Sequence, residues 1–432
     1  MKSEMTEYKK VIIPAVITMF FMSIYTTVDG LFVSHVMNTD ALAAINICYP
    51  IVNIMFAFAF GLGSGSSVQI AYAKGMGHKD KANEIFTLVI LAAVIVSILC
   101  IGIMGIAFQP LLNGLGATQK TIGYCRVYGA TALLFFPVGI IKEILAFVLR
   151  VEGMPAISML SSILGGVANI VLDYFFIVCL DYGILGAAVA TGLGMTLSLL
   201  VNIYFLIKKG ELRLCRTFVF HKNELIDLIR LSLSGGILEL SYAVVTWNFN
   251  RYALACHKED GVAAYTVIGY IQYAMASVFL GITNGVTPLL SFRHGAGEKI
   301  AGPVGYIYRF TIICGAVITM LTFCGAEAMA GIFVKKGTAP FLLAVTGIKV
   351  IAFSYLFMGI NVFATGMLNI CGEGRKAAII TFLRTVAFLL LGGAILTYLM
   401  GYEGMWMSYI TTEIMAAIII RILHIKRKEN YE

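Results

Sequence analysis

Four side chains in the first half of the chain have the chemistry to hold a hard cation: Asp29, Asn169, Asp173 and Thr191. Two carboxylates, an amide and a hydroxyl form an all-oxygen donor set, which suits sodium better than a soft transition metal. Two carboxylates brought close together also resist being ionised at once, so the same group could exchange a proton. Asn169 and Asp173 are four residues apart, which on a helix puts them on one face, a turn apart.

These residues form a site only if separate helices bring them to one depth. Of the 432 residues 59% are hydrophobic and 12% charged, about half the charge of an ordinary soluble domain. The apolar runs are long enough to cross hydrocarbon, which takes about 20 residues. Twelve are read, at about 11–36, 41–73, 84–108, 124–149, 155–180, 184–207, 225–256, 261–293, 304–334, 340–371, 376–399 and 403–425. In this frame Asp29 lies seven residues before the end of the first span at Val36, and Asp173 seven before the end of the fifth at Leu180. Thr191 lies seven residues after the start of the sixth span at Ile184. At about 1.5 Å per residue the three share one level in the bilayer. The bland alternative is that the two acids make separate interhelical hydrogen bonds.

The chain also repeats itself. Asp40 to Gly77 returns as Asp260 to Gly297 at an offset of 220, with Gly61, Gly65, Gly75 and Gly77 matching Gly281, Gly285, Gly295 and Gly297. A weaker echo pairs Glu152-Gly153 with Glu373-Gly374 at an offset of 221. Two similar hydrophobic halves are the pattern of a secondary transporter, and an even number of spans per half makes the repeat parallel. The expected architecture is an all-α polytopic membrane protein with twelve transmembrane helices in two pseudo-symmetric six-helix lobes. The division reads 1–207, a cytoplasmic linker at 208–224, and 225–432.

The second half does not copy the acid of the first span, because Asp29 becomes Phe249. It carries Glu239 near the middle of the seventh span and Glu413 near the middle of the twelfth. A carboxylate at that depth is costly and therefore a functional candidate. Two readings stay open: neutral pairing with Arg251, Lys349 or Arg384, or a second substrate or proton site, with Glu239 the stronger candidate. Lys142 and Glu143, adjacent in the fourth span, are expected to point different ways and to serve packing or gating.

Charge distribution sets the orientation. With the N-terminus in the cytoplasm, 20 Lys and Arg fall on the inner side against four outside: Lys120, Lys258, Lys335 and Lys336. That bias puts both termini in the cytoplasm of a plasma (inner) membrane protein. It also accounts for the net charge of +8 without nucleic acid. No cleavable leader is expected, since residues 1–10 are polar and the first apolar run is too long. Nine scattered cysteines without a CxxC pair give no reason to expect disulfides or zinc. Gly61-Leu-Gly-Ser-Gly65 has no following Lys-Ser/Thr, and no other ATP motif occurs, so energy must come from an ion gradient. An enzyme would need a metal or nucleophile set within the helices, but His35, His78, His221, His257, His294 and His424 lie at helix ends or loops.

Four segments together carry a resemblance: Val28-Asp29-Gly30, Asp40-Ala-Leu-Ala-Ala44, Asn169-Ile-Val-Leu-Asp173 and Gly186-Ala-Ala-Val-Ala-Thr191. On these the chain resembles the multidrug and toxic compound extrusion (MATE) family over nearly its whole length. The resemblance implies that Asp29, Asn169, Asp173 and Thr191 bind the coupling cation, Na+ or H+, in the first lobe. Some members of that family add a helix 7 Glu, matched by Glu239, and a helix 10 acid. Here helix 10 reads Phe357-Met-Gly-Ile-Asn361 and departs from that pattern. The expectation is a monomeric, cofactor-free antiporter that exports amphipathic organic cations by alternating access. The alternative is a lipid or lipid-linked glycan flippase of the same architecture. An acidic cavity would favour the first, a groove rich in Arg and Lys the second.

Overall fold

The computed structural model describes the backbone of residues 2–37, 39–216 and 221–425; within these, the side chains of 2–5, 28–35, 39, 42 and 423–425 lie outside the described residues. Every element among the described residues is helical. The first six long helices, with a short helix at Phe108–Gly114 after the third, are α1 (Lys2–Val36), α2 (Thr39–Gly75), α3 (Lys79–Ile106), α4 (Ile122–Leu134 and Phe136–Val151), α5 (Pro155–Asp173) and α6 (Gly183–Lys209). A π-helical turn, Tyr174–Cys179, extends α5.

After the linker one helical stretch runs from Lys222 to Gly295, 74 residues. A straight helix of that length would be about 110 Å long, more than three times the roughly 30 Å hydrocarbon core. The stretch is two helices, α7 and α8, broken at His257 and Lys258, where Lys258 takes a φ of 51°. There follow α9 (Ala301–Cys324), α10 (Ala339–Ala352 and Tyr355–Ile370), α11 (Gly374–Phe382, then a π turn Leu383–Ala387, then Phe388–Met400) and α12 (Tyr402–Ile425). The bends in α4 and α10, 44° and 54°, fall at matching places in the two halves. Nine helices pass as spans singly and eleven with the two bent pairs; counting α7 and α8 apart gives twelve.

Each half has its own apolar interior. Ile51, Ile70, Phe136 and Ile140 belong to a cluster of the first half, and Phe249, Tyr265, Ile348 and Trp406 to one of the second. The duplicated glycines are where the halves touch. A methyl on Gly61 of α2 would lie 2.9 Å from the carbonyl oxygen of Ser232 on α7, and one on Gly285 of α8 would lie 2.8 Å from that of Val11 on α1. The repeat thus encodes a reciprocal contact, α2 on α7 and α8 on α1, in which small residues let backbones approach. At the linker side of the membrane Gly75 presses on Phe292 and Gly295 on Tyr72, closing α2 against α8.

The linker is stitched to the first half. The carboxylate of Glu152 takes the ammonium of Lys74 at 2.6 Å and accepts the backbone N–H groups of Glu211 and Leu212. Asn83 and Thr87 accept the N–H groups of Arg213 and Cys215 at 2.8 and 2.9 Å. Lys74, and after it Lys79, hold the exposed Glu211 carboxyl below the usual carboxylate range. The Glu-Gly echo at an offset of 221 is not a structural equivalence. Gly153 has a left-handed φ of 73°, and its counterpart is Gly372 at 75°, whereas Gly374 is helical.

Candidate functional site

Asn169 and Asp173 are both buried, each 1% exposed, on the face of α5 that meets α6. Small residues bring this about. A methyl on Gly194 of α6 would lie 2.6 Å from the carbonyl oxygen of Gly165 on α5, and one on Gly166 would lie 2.8 Å from the ring of Phe21 on α1. With α5 and α6 this close, Asn169 Nδ2 donates to Thr191 Oγ1 at 3.3 Å. Thr191 passes its own proton to the carbonyl oxygen of Ala187 at 3.1 Å, which leaves hydroxyl lone pairs turned toward Asn169. Asn169 Oδ1 is cut off from solvent and has no hydrogen-bond partner among the described residues. A buried acceptor left unmatched is costly, and a small cation would satisfy it.

The α-helix ends at Asp173 and continues as the π turn Tyr174–Cys179. Such turns insert an extra residue and recur at functional sites. Asp29 sits in α1, but its side chain lies outside the described residues. Gly166 of α5 faces Phe21 and Tyr25 of α1. One turn beyond Tyr25 on α1 is Asp29, and one to two turns beyond Gly166 on α5 are Asn169 and Asp173. The structure therefore groups Asn169 with Thr191 directly and runs α1 alongside at the right height. Asp173, Asn169 and Thr191 offer oxygen donors only, which fits sodium or a proton.

The two acids of the second half are not equivalent. Glu413 is 5% exposed and fully engaged. Its Oε1 takes Arg384 Nη1 at 2.9 Å, and its Oε2 takes Asn361 Nδ2 at 2.6 Å. Asn361 also donates to the Glu413 carbonyl oxygen at 2.8 Å. Arg251 instead lies over the Trp247 ring, 4.9 Å from its centre. Glu239 has no hydrogen bond or ion pair among the described residues. It lies within electrostatic reach of Glu143 on α4, across the lobe boundary. Glu143 and Lys142 do not point apart as expected. They form a buried pair at 2.7 Å, because two long side chains on successive residues can still fold toward each other.

The profile of the MatE family matches the chain twice, over residues 14–175 and 237–394, well over half its length. The chain belongs to the MatE family. It is a multi-pass membrane transporter of the multidrug and toxic compound extrusion class, and the two matches fall one in each lobe. It is similar to the multidrug export protein MepA of Staphylococcus saprophyticus, 24% identical over 384 residues, covering 87% of this chain and 84% of the relative. A Staphylococcus aureus protein of the same name is 23% identical over 418 residues, covering 95% and 91%. Among solved structures, the outward-facing conformation of a multidrug resistance MATE family transporter superposes with a TM-score of 0.91, 24% identity and coverage of 98% and 95%. A MATE transporter in complex with MaL6 gives a TM-score of 0.92 with the same identity and coverage. These superpositions establish the twelve-helix fold.

Sequence reasoning left the MatE chain's Arg384–Glu413–Asn361 cluster unresolved among three candidate bases. Nothing in local periodicity distinguishes Arg384 from Arg251 or Lys349. The π turn at Leu383–Ala387, which carries Arg384, has no signature in the residue pattern. Missed outright was Asn361 as a partner: on helix 10 it donates to the carboxylate that Glu413 of α12 brings to it.

Proposed function

We propose that this MatE chain is a cation-coupled antiporter that exports amphipathic, cationic organic compounds from the cytoplasm. The buried group formed by Asn169, Thr191 and Asp173, with its unmatched Asn169 oxygen, carries the coupling half of this reading. The coupling ion is Na+ or H+, bound there together with Asp29. Glu239 carries the substrate half: it is an unpaired carboxylate at the boundary between lobes. There Lys142 and Arg384 are each matched by an acid, so neither neutralises Glu239, which suits an organic cation. The names of the staphylococcal relatives, multidrug export proteins, support the export of drugs.

The Lys and Arg asymmetry supports a cytoplasmic linker side. The contacts of Gly75 and Gly295 then close the cytoplasmic end, as in a state that has delivered its substrate outward. Ion binding in the first lobe would drive the return by biasing the lobes between two packings. The test is efflux from vesicles holding the purified protein, with sodium or proton gradients imposed separately and several organic cations offered. Export that follows either gradient supports antiport; export indifferent to both rejects it.

A further inference from the structure

Two ion pairs join the halves of the chain among the described residues, and both lie at the linker side. Lys81 on α3 of the first lobe takes the carboxylate of Glu224, in the first turn of α7. Arg293 on α8 of the second lobe takes the carboxylate of Glu7, near the start of α1, at 2.5 Å. Each half thus presents an acid from the start of its first helix to a base of the other half. The arrangement follows the repeat: at the offset of 220, Glu224 corresponds to Glu4, one turn before Glu7. It also parallels the reciprocal glycine contacts, and Arg293 directly follows Phe292, on which Gly75 presses.

Neighbouring groups hold the partners in place. Glu84, one turn along α3, flanks Lys81 at 3.5 Å, and Gln69 of α2 donates to the carbonyl oxygen of Glu224 at 3.5 Å. Glu298 flanks Arg293 at 3.7 Å, and the Tyr8 ring lies 5.3 Å from the guanidinium. In each pair one side chain is sheltered and the other faces water. Glu224 and Arg293 are 13% and 15% exposed, whereas Lys81 and Glu7 are 38% and 47%. Pairs this open are weak, and each shifts an equilibrium by at most about fivefold. A boundary that must open and close needs such weakness. Parting the lobes at this side would break both pairs, so all of their free energy favours the closed packing. Dissolved ions screen them, since the Debye length falls from about 10 Å at 0.1 M salt to about 3 Å at 1 M. The glycine and apolar contacts at the same end carry no charge to screen.

We propose that Glu7–Arg293 and Lys81–Glu224 form an ionic latch that holds the linker side shut and loosens as the ionic strength on that side rises. This rests on the reading that the lobes part at the linker side during transport. Access is read from Ser67→Cys in a cysteine-free, full-length background, because Ser67 lines the space between the lobes and is 1% exposed. A membrane-impermeant maleimide is added to vesicles whose linker side faces out. Each rate is divided by that of Arg213→Cys, on the exposed linker, at the same salt concentration. The protein with its four latch residues intact is expected to label about tenfold faster at about 1 M than at about 0.1 M salt. Glu7→Gln and Glu224→Gln should each raise the low-salt rate about threefold and together about tenfold, since the pairs share no residue. The double variant should no longer respond to salt. Glu7→Arg alone should label faster than Glu7→Gln, and Glu7→Arg combined with Arg293→Glu should return to about the unsubstituted rate. Loss of a merely structural contact would not be rescued by exchanging the charges. An intact latch indifferent to salt, a double variant as slow as the intact protein, or an exchange that fails to restore closure each overturns the latch while leaving the parting of the lobes standing. Background labelling of Ser67→Cys in every variant and at every salt concentration overturns both.

Discussion

Asn169 on α5 and Thr191 on α6 share a hydrogen bond of 3.3 Å inside the first lobe, and Asp173 lies one turn further along α5 at the mouth of a π turn. This relationship joins two helices through polar side chains where apolar packing would be cheaper. It leaves one amide oxygen unmatched. The account of coupling follows from it.

Removing the hydroxyl should weaken the ion without breaking the lobe. Thr191→Val keeps the shape of the side chain and deletes one oxygen donor. The ion concentration for half-maximal efflux should rise about tenfold, the effect of one lost polar contact. A titration of efflux against the external ion reads this directly, and an unchanged midpoint would remove Thr191 from the site.

The paired and unpaired acids of the second half should behave oppositely in stability. Glu413→Gln strands the buried Arg384 and should cost about 3–5 kcal/mol. Glu239→Gln breaks no bond among the described residues and should leave the melting temperature nearly unchanged. Thermal unfolding of the two purified variants separates them.

The first of these contrasts shows where sequence stops. Twelve spans and two halves were legible because hydropathy is averaged over long runs, and the break between α7 and α8 because His257, Lys258, Glu259 and Asp260 interrupt it. The depth argument set Thr191 at the level of Asp173, and its hydrogen bond is with Asn169, one turn deeper on the same face of α5. Partner choice was not legible. Arg384 and Glu413 are 29 residues apart on different helices, and only the packing of α11 on α12 selects that pair. The Glu152-Gly153 echo misled for a related reason. Letter identity aligned Gly153 with Gly374, whereas the left-handed turn requires glycine at Gly372.

The duplicated glycines at the linker side should control which way the lobes close. Gly75→Val and Gly295→Val each place methyl groups against the opposing backbone, at Phe292 and Tyr72. Both should pry that end open. In a cysteine-free background with Ser67→Cys, labelling from the linker side should rise several-fold in each variant. Equal labelling with and without the substitutions would show that the contact does not seal the space between the lobes that Ser67 lines.

Orientation is tested by the same chemistry. Membrane-impermeant thiol reagent applied outside intact cells should label Asn38→Cys and spare Arg213→Cys. The reverse pattern would invert the topology drawn from the charge bias.

The central claim is that the coupling ion binds in the first lobe, and the direct measurement is gradient-driven efflux by Asp173→Asn beside Glu239→Gln. Both proteins are reconstituted at equal density and driven by imposed sodium and proton gradients in turn. The account predicts that Asp173→Asn is folded but exports nothing in response to either gradient, because the charge that binds or titrates with the ion is gone. Glu239→Gln should keep the ion dependence and change the ranking of substrates. Near-normal gradient-driven export by Asp173→Asn, with coupling lost in Glu239→Gln, would put the coupling site in the second lobe and contradict the account.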